Sequence, residues 1–263
     1  MEVLLLGTGA ADGIPNPFCR CETCADHRSR GELRTPTSVL VDGRLLIDPG
    51  PEAPRQVSRL GRDLVGLDAV LVGHAHNDHL DASVLMHRSW VADSPLRVVG
   101  PAPVVSWCRQ WLPAEQSAIR FSTVTAGDRL EVAGYQVTVL EVDHEAFGEA
   151  VGYLVDDGGT ALLYLSDTGP LPASTLAALT GRRVDLVLLE ETFGFRSDKG
   201  DRHLNLSTFA DAVERLRACG TITDDTRVVA VHLGHDNPPT ADLAAILELS
   251  GAEVVGDGSI LLL

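Results

Sequence analysis

The stretch Gly73-His74-Ala75-His76-Asn77-Asp78-His79-Leu80 carries the strongest signal for fold and chemistry in this chain. It places three histidines and an aspartate within six residues, directly after an apolar run of strand length, residues 67–72. Histidine is the commonest transition-metal ligand, and this spacing lets one short turn present ligands in two directions. We predict that His74 and His76 face one metal ion while Asp78 and His79 face a second. The alternative is a polar surface loop with histidines by chance.

Polar residues at the ends of other apolar segments can supply the ligands that this loop lacks. His144 follows a predicted strand, and we expect it to be the third imidazole of the first metal. Asp167 also follows a predicted strand, and its two carboxylate oxygens make it the natural ligand to bridge two cations. His232 and His235 follow a predicted strand near the C-terminus. The second metal needs one more imidazole and the cysteine cluster described below needs a fourth ligand, so each histidine has a position that it could supply.

Three of the five cysteines, Cys19, Cys21 and Cys24, lie within six residues. Thiolates this close in a reducing compartment most economically share a zinc ion, which needs one further ligand. His27 would complete a local pattern, whereas His235 would have to be brought near by the fold. Both remain open from the sequence, as does a redox-active or merely exposed cysteine cluster.

Asp48 follows a predicted hairpin over residues 38–47. It could be a metal ligand, a turn residue or a partner of a ligand. We favour the last, because a carboxylate beside a histidine cluster can accept an N–H from a metal-binding imidazole and fix its tautomer.

At 263 residues the chain could form one large domain or two small ones, and no linker is seen, so we expect a single domain over residues 1–263. It would contain a Pro- and Gly-rich loop at about 10–36 that zinc would hold in place. Hydrophobic residues at 44% and charged residues at 22% are ordinary for a soluble enzyme. No apolar run is long enough for a membrane span, and the N-terminus lacks a basic leader, so we expect a cytoplasmic location. Helices are predicted over residues 52–61 and 208–217, the second capped by Ser207.

A formal charge of −16 argues against a long nucleic acid as substrate, because such a surface needs clustered Lys and Arg. It does not exclude a small phosphate ester, since bound divalent cations would reverse the sign of the local field.

Together these residues resemble the metallo-β-lactamase superfamily, and the cysteine loop narrows the resemblance to PhnP-type phosphodiesterases, the carbon-phosphorus lyase accessory proteins. The motifs occur in the order of that family: Gly7-Thr8-Gly9, Cys19/Cys21/Cys24, Asp48, the loop from His74 to His79, His144, Asp167, His203 and the pair His232/His235. The resemblance implies an αββα sandwich, two mixed β-sheets flanked by helices, with its active site where strand ends converge.

The resemblance also implies roles for individual residues. One metal would be bound by His74, His76 and His144, the other by Asp78, His79 and His232, with Asp167 bridging them. A structural zinc would be held by Cys19, Cys21, Cys24 and His235. Asp78 and His203 would act in catalysis, His203 as general acid. The alternative for His203 is a solvated loop histidine, since without the resemblance its loop gives no spacing evidence. The active-site ions would be Mn²⁺ or Zn²⁺.

We therefore expect a dinuclear metal-dependent hydrolase of small, cyclic or linear phosphodiesters, which uses metal-activated hydroxide and His203. The expected partner is a small molecule, with no long nucleic acid and no membrane, and a homodimer is left open. Relatives that process tRNA 3′ ends bind through an added arm, for which no basic or glycine-rich insertion is found here. The alternatives are a hydrolase of thioesters, lactams or other carbonyl substrates, a PqqB-like biosynthetic protein, and a zinc-stabilised binding module.

Overall fold

A computed structural model describes residues 1–112, 118–144 and 148–263. Its strands are β1 (Glu2–Gly7), β2 (Ser38–Val41), β3 (Leu45–Ile47), β4 (Ala69–Leu71), β5 (Leu96–Gly100), β6 (Ile119–Thr123), β7 (Arg129–Val132), β8 (Tyr135–Glu141), β9 (Val151–Asp156), β10 (Ala161–Leu165), β11 (Leu186–Glu190), β12 (Arg227–Val231), β13 (Ala252–Val254) and β14 (Ile260–Leu262). Its helices are α1 (Glu22–Arg30), α2 (Ala53–Arg59), α3 (Ser83–Ser89), α4 (Ala102–Trp111), α5 (Ala173–Leu179), α6 (Leu206–Ala218) and α7 (Thr240–Glu248). Within these described ranges, no helix has both the length and the apolar character to cross a bilayer.

The strands form two mixed sheets of seven strands each, with the orders β14-β1-β2-β3-β4-β5-β6 and β13-β12-β11-β10-β9-β8-β7. In the first sheet, pairing is antiparallel from β14 to β3 and parallel from β3 to β6. The second sheet is parallel from β13 to β10 and antiparallel from β10 to β7. Each sheet therefore joins a parallel half to an antiparallel half.

Strand β11 shows why the sheets stack with helices outside. Its sequence is apolar up to Glu190, and alternate residues point to opposite faces. Leu186 and Leu188 pack in the core between the two sheets. Val187 and Leu189 pack in a second core, which includes Phe209 of α6. A strand that is buried on both faces reads as a continuous apolar run.

The first sheet is covered in the same way. A third core packs its outer face against α2, α3 and α4, through residues such as Val57, Leu85 and Val104. The order of layers is helices, sheet, sheet, helices. The predicted αββα sandwich is confirmed.

Two local expectations were wrong. The segment expected to have little secondary structure contains α1, whose N-cap is Cys21, with its Sγ accepting a hydrogen bond from the Cys24 N–H. Helix α6 is capped by Asn205 and not by Ser207. The Asn205 side chain accepts from the backbone N–H of Ser207 and Thr208, while Thr208 Oγ1 accepts from the Asn205 N–H. This reciprocal capping box starts the helix at Leu206, two residues earlier than a Ser207 cap would.

Candidate metal centre

The predicted metal ligands lie where strands of both sheets end. The His74–His79 loop follows β4 of the first sheet, while His144, Asp167 and His232 follow β8, β10 and β12 of the second. Asp167 and His232 have positive φ angles of 53° and 55°, and Asp48 has one of 51°. Residues other than glycine seldom adopt this conformation, and it concentrates at functional sites. All three side chains contact His79, Asp48 at Nδ1, Asp167 at Nε2 and His232 through its ring.

The first cluster is formed by His74, His76, His144 and Asp167. His76 Nδ1 lies 2.7 Å from His74 Nε2 and 3.3 Å from His144 Nε2. Asp167 Oδ2 lies 3.5 Å from His74 Nε2 and 3.7 Å from His144 Nε2. Ligand atoms of a tetrahedral zinc ion are separated by roughly 3.4 Å, given bonds of about 2.1 Å. The spacing of these atoms is that of a metal site.

The second cluster is formed by Asp78, His79, Asp167 and His232. His79 Nε2 lies 3.1 Å from both Asp78 Oδ2 and Asp167 Oδ1. His232 Nε2 lies 3.0 Å from Asp167 Oδ1 and 3.4 Å from Asp78 Oδ2. Asp167 thus offers one oxygen to each cluster. This is the placement that the predicted role of a bridging ligand requires.

Partners on the far side of the imidazole rings fix their orientation. Asp48 Oδ2 lies 2.7 Å from His79 Nδ1 and accepts a hydrogen bond from Tyr164 Oη, while Asp48 Oδ1 accepts from the Gly73 N–H. Asp48 thus makes the contact that its predicted role requires, with an imidazole of the His74–His79 loop. His144 Nδ1 lies 3.3 Å from the carbonyl oxygen of Arg202, which directs His144 Nε2 into the first cluster.

His79 Nε2 tests whether these residues suit a cation. His79 Nδ1–H donates a hydrogen bond to the Asp48 carboxylate. A neutral His79 therefore carries its lone pair on Nε2. That nitrogen is buried, faces two carboxylate oxygens and makes no hydrogen bond among the described residues. Burial lowers the pKa of His79, yet Asp167, Asp78 and Asp48 outweigh it and hold the pKa well above its usual range. The position attracts positive charge, and a divalent cation fits it.

The first cluster favours neutral imidazoles. Burial lowers the pKa of His74 well below its usual range, and His79 adds to the effect. Burial also lowers the pKa of His144, although Asp167 partly opposes this. A metal ligand must offer a lone pair, so these rings are ready to bind a cation near neutral pH.

Glu190, at the end of β11, links the general-acid candidate to the second cluster. Its buried carboxylate lies 3.1 Å from His203 Nδ1 and accepts from the backbone N–H of Thr168 and Leu204. The Thr192 hydroxyl donates to Glu190 and lies 3.0 Å from His232 Nδ1. One carboxylate therefore orients His203 directly and His232 through Thr192.

His203 lies beside ligands of both clusters. Its ring stacks on His232, with centroids 5.5 Å apart and planes 2° from parallel, and lies 4.8 Å from the ring of His144. The side chain is 20% exposed, so solvent reaches it. Burial lowers the pKa of His203, but the Glu190 carboxylate raises it to about 9. His203 therefore carries a proton at neutral pH.

The cysteine cluster gathers around His235. Cys19, Cys21, Cys24 and His235 each bring one ligand atom within 4.8 Å of the others, and His235 Nδ1 lies 3.5 Å from Cys19 Sγ and 3.8 Å from Cys21 Sγ. His27 is instead buried beside α7, where its Nε2 lies 3.1 Å from Thr240 Oγ1. The geometry favours His235 over His27 as the fourth ligand.

A family model described as the β-lactamase superfamily domain matches residues 43–233, well over half of the chain. This chain belongs to the metallo-β-lactamase superfamily. The histidines and Asp78 of the loop after β4, together with His144, Asp167 and His232, all fall inside the matched segment. Cys19, Cys21, Cys24 and His235 lie outside it. Membership implies divalent metals such as zinc, which the two His/Asp clusters fit.

Several relatives within the superfamily are similar to this chain. Ribonuclease Z of Mycobacterium marinum is 26% identical, over 73% of this chain and 72% of that protein. A diphosphatase of the PhnP family has a TM-score of 0.77 at 21% identity, covering 100% of this chain and 97% of that one. Zn²⁺-bound PqqB from Methylobacterium extorquens has a TM-score of 0.78 at 24% identity and covers both chains fully. At this identity the two structures establish the fold.

Sequence reasoning missed Glu190, Thr192 and Tyr164. Glu190 has the same signal as Asp48 and Asp167, an acid directly after an apolar strand, and could have been found by that rule. Thr192 and Tyr164 have no such signal, because a hydroxyl on a loop or strand becomes a partner only through tertiary contacts.

Proposed function

We propose that this protein hydrolyses small phosphodiesters, with His203 as the proton donor to the leaving group. The observation that carries the proposal is the position of His203, protonated and partly exposed, against ligands of both metal clusters. Two of the relatives are named for work on phosphates, a diphosphatase and a ribonuclease. The name of the third, PqqB, refers to no phosphate substrate. A PqqB-like biosynthetic role is therefore the alternative function for this protein.

We propose that His74, His76 and His144 hold one ion, that Asp78, His79 and His232 hold the other, and that Asp167 contacts both. When bound, divalent cations would activate water and neutralise charge on the phosphate oxygens. The identity of the ions, manganese or zinc, is part of the proposal. Cys19, Cys21, Cys24 and His235 would hold a separate zinc that does not take part in the reaction.

The chain's own residues supply the proton. Glu190 fixes His203 through Nδ1, which leaves Nε2 to face the substrate and donate to the departing oxygen. An alkoxide is a poor leaving group, so a positioned acid contributes roughly 10²- to 10⁴-fold to such a reaction. A carbonyl substrate, such as a thioester or lactam, would make less use of this donor.

The net charge of −16 supports a small substrate, because a long nucleic acid would be repelled over much of the surface. A compact diester brings only one phosphate charge to the site.

A substrate panel tests the proposal. The protein, loaded separately with Mn²⁺ and Zn²⁺, is offered a 2′,3′-cyclic nucleotide, a ribosyl cyclic phosphate, a linear alkyl diester, a thioester and a β-lactam. We expect turnover of the diesters by the wild type and loss of this turnover in Asp167→Asn. The substitution replaces the carboxylate shared by both clusters with a neutral amide. Turnover of only the thioester or the lactam would contradict the phosphodiesterase assignment while leaving the metal centre intact.

A further inference from the structure

A pocket of about 420 Å³ lies beside the loop that carries His76. It is lined by Ala75, Asn77, Pro103, Ser106, Trp107 and Gln110. Ala75 and Asn77 are the chain neighbours of His76, a member of the first cluster. The other four residues belong to α4, so the pocket is the space between the metal loop and this helix. Its size is within the range of small-molecule sites.

The lining is apolar and aromatic, with a few neutral polar groups. None of the six described residues that line the pocket carries a charge, whereas carboxylates and imidazoles fill the adjoining metal clusters. Asn77 and Gln110 bring amides, which can donate and accept hydrogen bonds, and Ser106 brings a hydroxyl. His76 therefore lies at the boundary between the ionisable residues of the clusters and the uncharged lining of the pocket.

Trp107 is the largest group in the lining. Its side chain is 42% exposed, and Trp111, one helical turn further, packs against it edge-on with ring centroids 6.5 Å apart. The chain has only three tryptophans, and two of them lie together on this face of α4. Leaving indole rings in water is unfavourable, and exposed aromatic groups beside a reactive centre characterise binding sites.

We propose that this pocket binds a flat, uncharged aromatic group of the substrate, with Trp107 as the surface on which it stacks. The inference rests on the proposed function and specifies the organic part of the diester. The phosphate would lie at the metal clusters, and the aromatic group would extend past His76 between Ala75 and α4. A nucleobase and a simple aryl ring share this chemistry; the Asn77 and Gln110 amides would engage only the nucleobase.

Three substrates with the same reacting group test the pocket. They are uridine 2′,3′-cyclic phosphate, phenyl riboside 2,3-cyclic phosphate and methyl riboside 2,3-cyclic phosphate, which differ only at the anomeric carbon. Base–aromatic stacking contributes roughly 1–3 kcal/mol, so Trp107→Ala should raise KM about 5- to 150-fold for the uridine and phenyl compounds. KM for the methyl compound should not change.

Matched variants separate stacking from indirect effects. Trp107→Phe keeps an aromatic face and should restore most of the affinity. Trp90→Ala removes the third tryptophan, 68% exposed and outside the pocket, and should have no effect on any of the three substrates. Asn77→Ala should raise KM for the uridine compound alone if the natural occupant is a nucleobase, and should leave KM unchanged for all three compounds if it is an aryl group.

Equal effects of Trp107→Ala on all three substrates, or no effect on any, would overturn the proposal. So would a change of sedimentation from dimer to monomer in this variant, because the pocket would then be a subunit contact. If the metal-loaded protein hydrolyses none of the three, the phosphodiesterase assignment fails separately. The pocket is then decided by tryptophan fluorescence: uridine 3′-phosphate should bind the wild type and Trp107→Phe and bind Trp107→Ala at least 5-fold more weakly.

Discussion

At the scale of single residues, His203 combines a raised pKa with access to solvent. Its Nδ1 is held by Glu190, and its ring covers His232. Replacing His203 by Ala should lower kcat/KM for alkyl diesters by roughly 10²- to 10⁴-fold. The same change should affect p-nitrophenyl diesters far less, since p-nitrophenolate leaves without a proton. Steady-state kinetics on the two classes of ester measures the difference.

His87→Ala is the control for that experiment, because His87 lies on α3, packed against Trp90 and away from the clusters. It should leave both classes of ester unchanged. Equal losses on alkyl and p-nitrophenyl esters in His203→Ala would show that His203 supports the metal ligands and donates no proton.

Glu191, next to Glu190, gives a pH dependence of stability. It is fully buried, and desolvation raises its pKa to about 8, although Asn237 and the Gly194 N–H partly oppose this. Between the ordinary value of 4.5 and about 8, the folded protein binds a proton that the unfolded chain has lost. The stability of the protein should therefore fall as pH rises through this window, with the full penalty present above pH 8.

Glu191→Gln cannot ionise and should escape this loss. Each pKa unit corresponds to about 1.4 kcal/mol, so between pH 6 and 8.5 the free energy of unfolding of the variant should gain roughly 2–3 kcal/mol on the wild type. Urea unfolding at the two pH values measures this gain. The exposed Glu248→Gln should show none. A constant difference between Glu191→Gln and wild type would mean that Glu191 ionises normally.

At the scale of elements, the loop after β12 serves two clusters. His232 faces the second cluster, and His235, three residues later, faces the cysteines. His235→Ala should reduce the zinc content measured by mass spectrometry by about one ion per chain and should lower the melting temperature. His27→Ala should keep that zinc, because His27 contacts Thr240 and not the cysteines. The reverse result would assign the fourth position to His27.

The residues directly after predicted strands were the most informative for locating the candidate site. Acids and histidines placed directly after apolar strands identified Asp48, His144, Asp167 and His232, because strands buried on both faces read as uninterrupted apolar runs. The caps were harder. Ser207 and Asn205 are both good N-cap residues, and only the reciprocal bond with Thr208 selects Asn205. Helix α1 was missed because its polar sequence has little apolar periodicity.

At the scale of the whole molecule, charge limits the partners. With a net charge of −16, the protein should bind precursor tRNA weakly at physiological salt, even though ribonuclease Z is among its relatives. Filter binding of a tRNA with a 3′ trailer, at 50 and 150 mM salt, checks this. Submicromolar binding at 150 mM salt would contradict the expected small substrate. Turnover of a cyclic diester should change little between the two salt concentrations.

The overall architecture was predicted through the order of motifs and not from periodicity. Apolar runs indicate buried strands but do not reveal which strands pair, so the division into two sheets came only from the resemblance. The pairing of β14 with β1 was not predicted. The network of Glu190, Thr192 and His203 also needs the fold, because it joins residues whose partners are set by how β11 and β12 lie side by side. The pocket at Trp107 has no sequence signature, since α4 and the loop after β4 meet only in three dimensions.

The shared loop after β12 would link the proposed zinc site at the cysteines thermodynamically to the proposed pair of ions at the His/Asp clusters. An ion on the cysteines would immobilise His235 and, through the short Leu233-Gly234 connection, would reduce the entropy that His232 loses on coordinating its own ion. By reciprocity, filling the catalytic pair would tighten the hold on the thiolates. Oxidation of the cysteines would then weaken the affinity of the two His/Asp clusters for their ions. The protein would lose these metals under oxidising conditions.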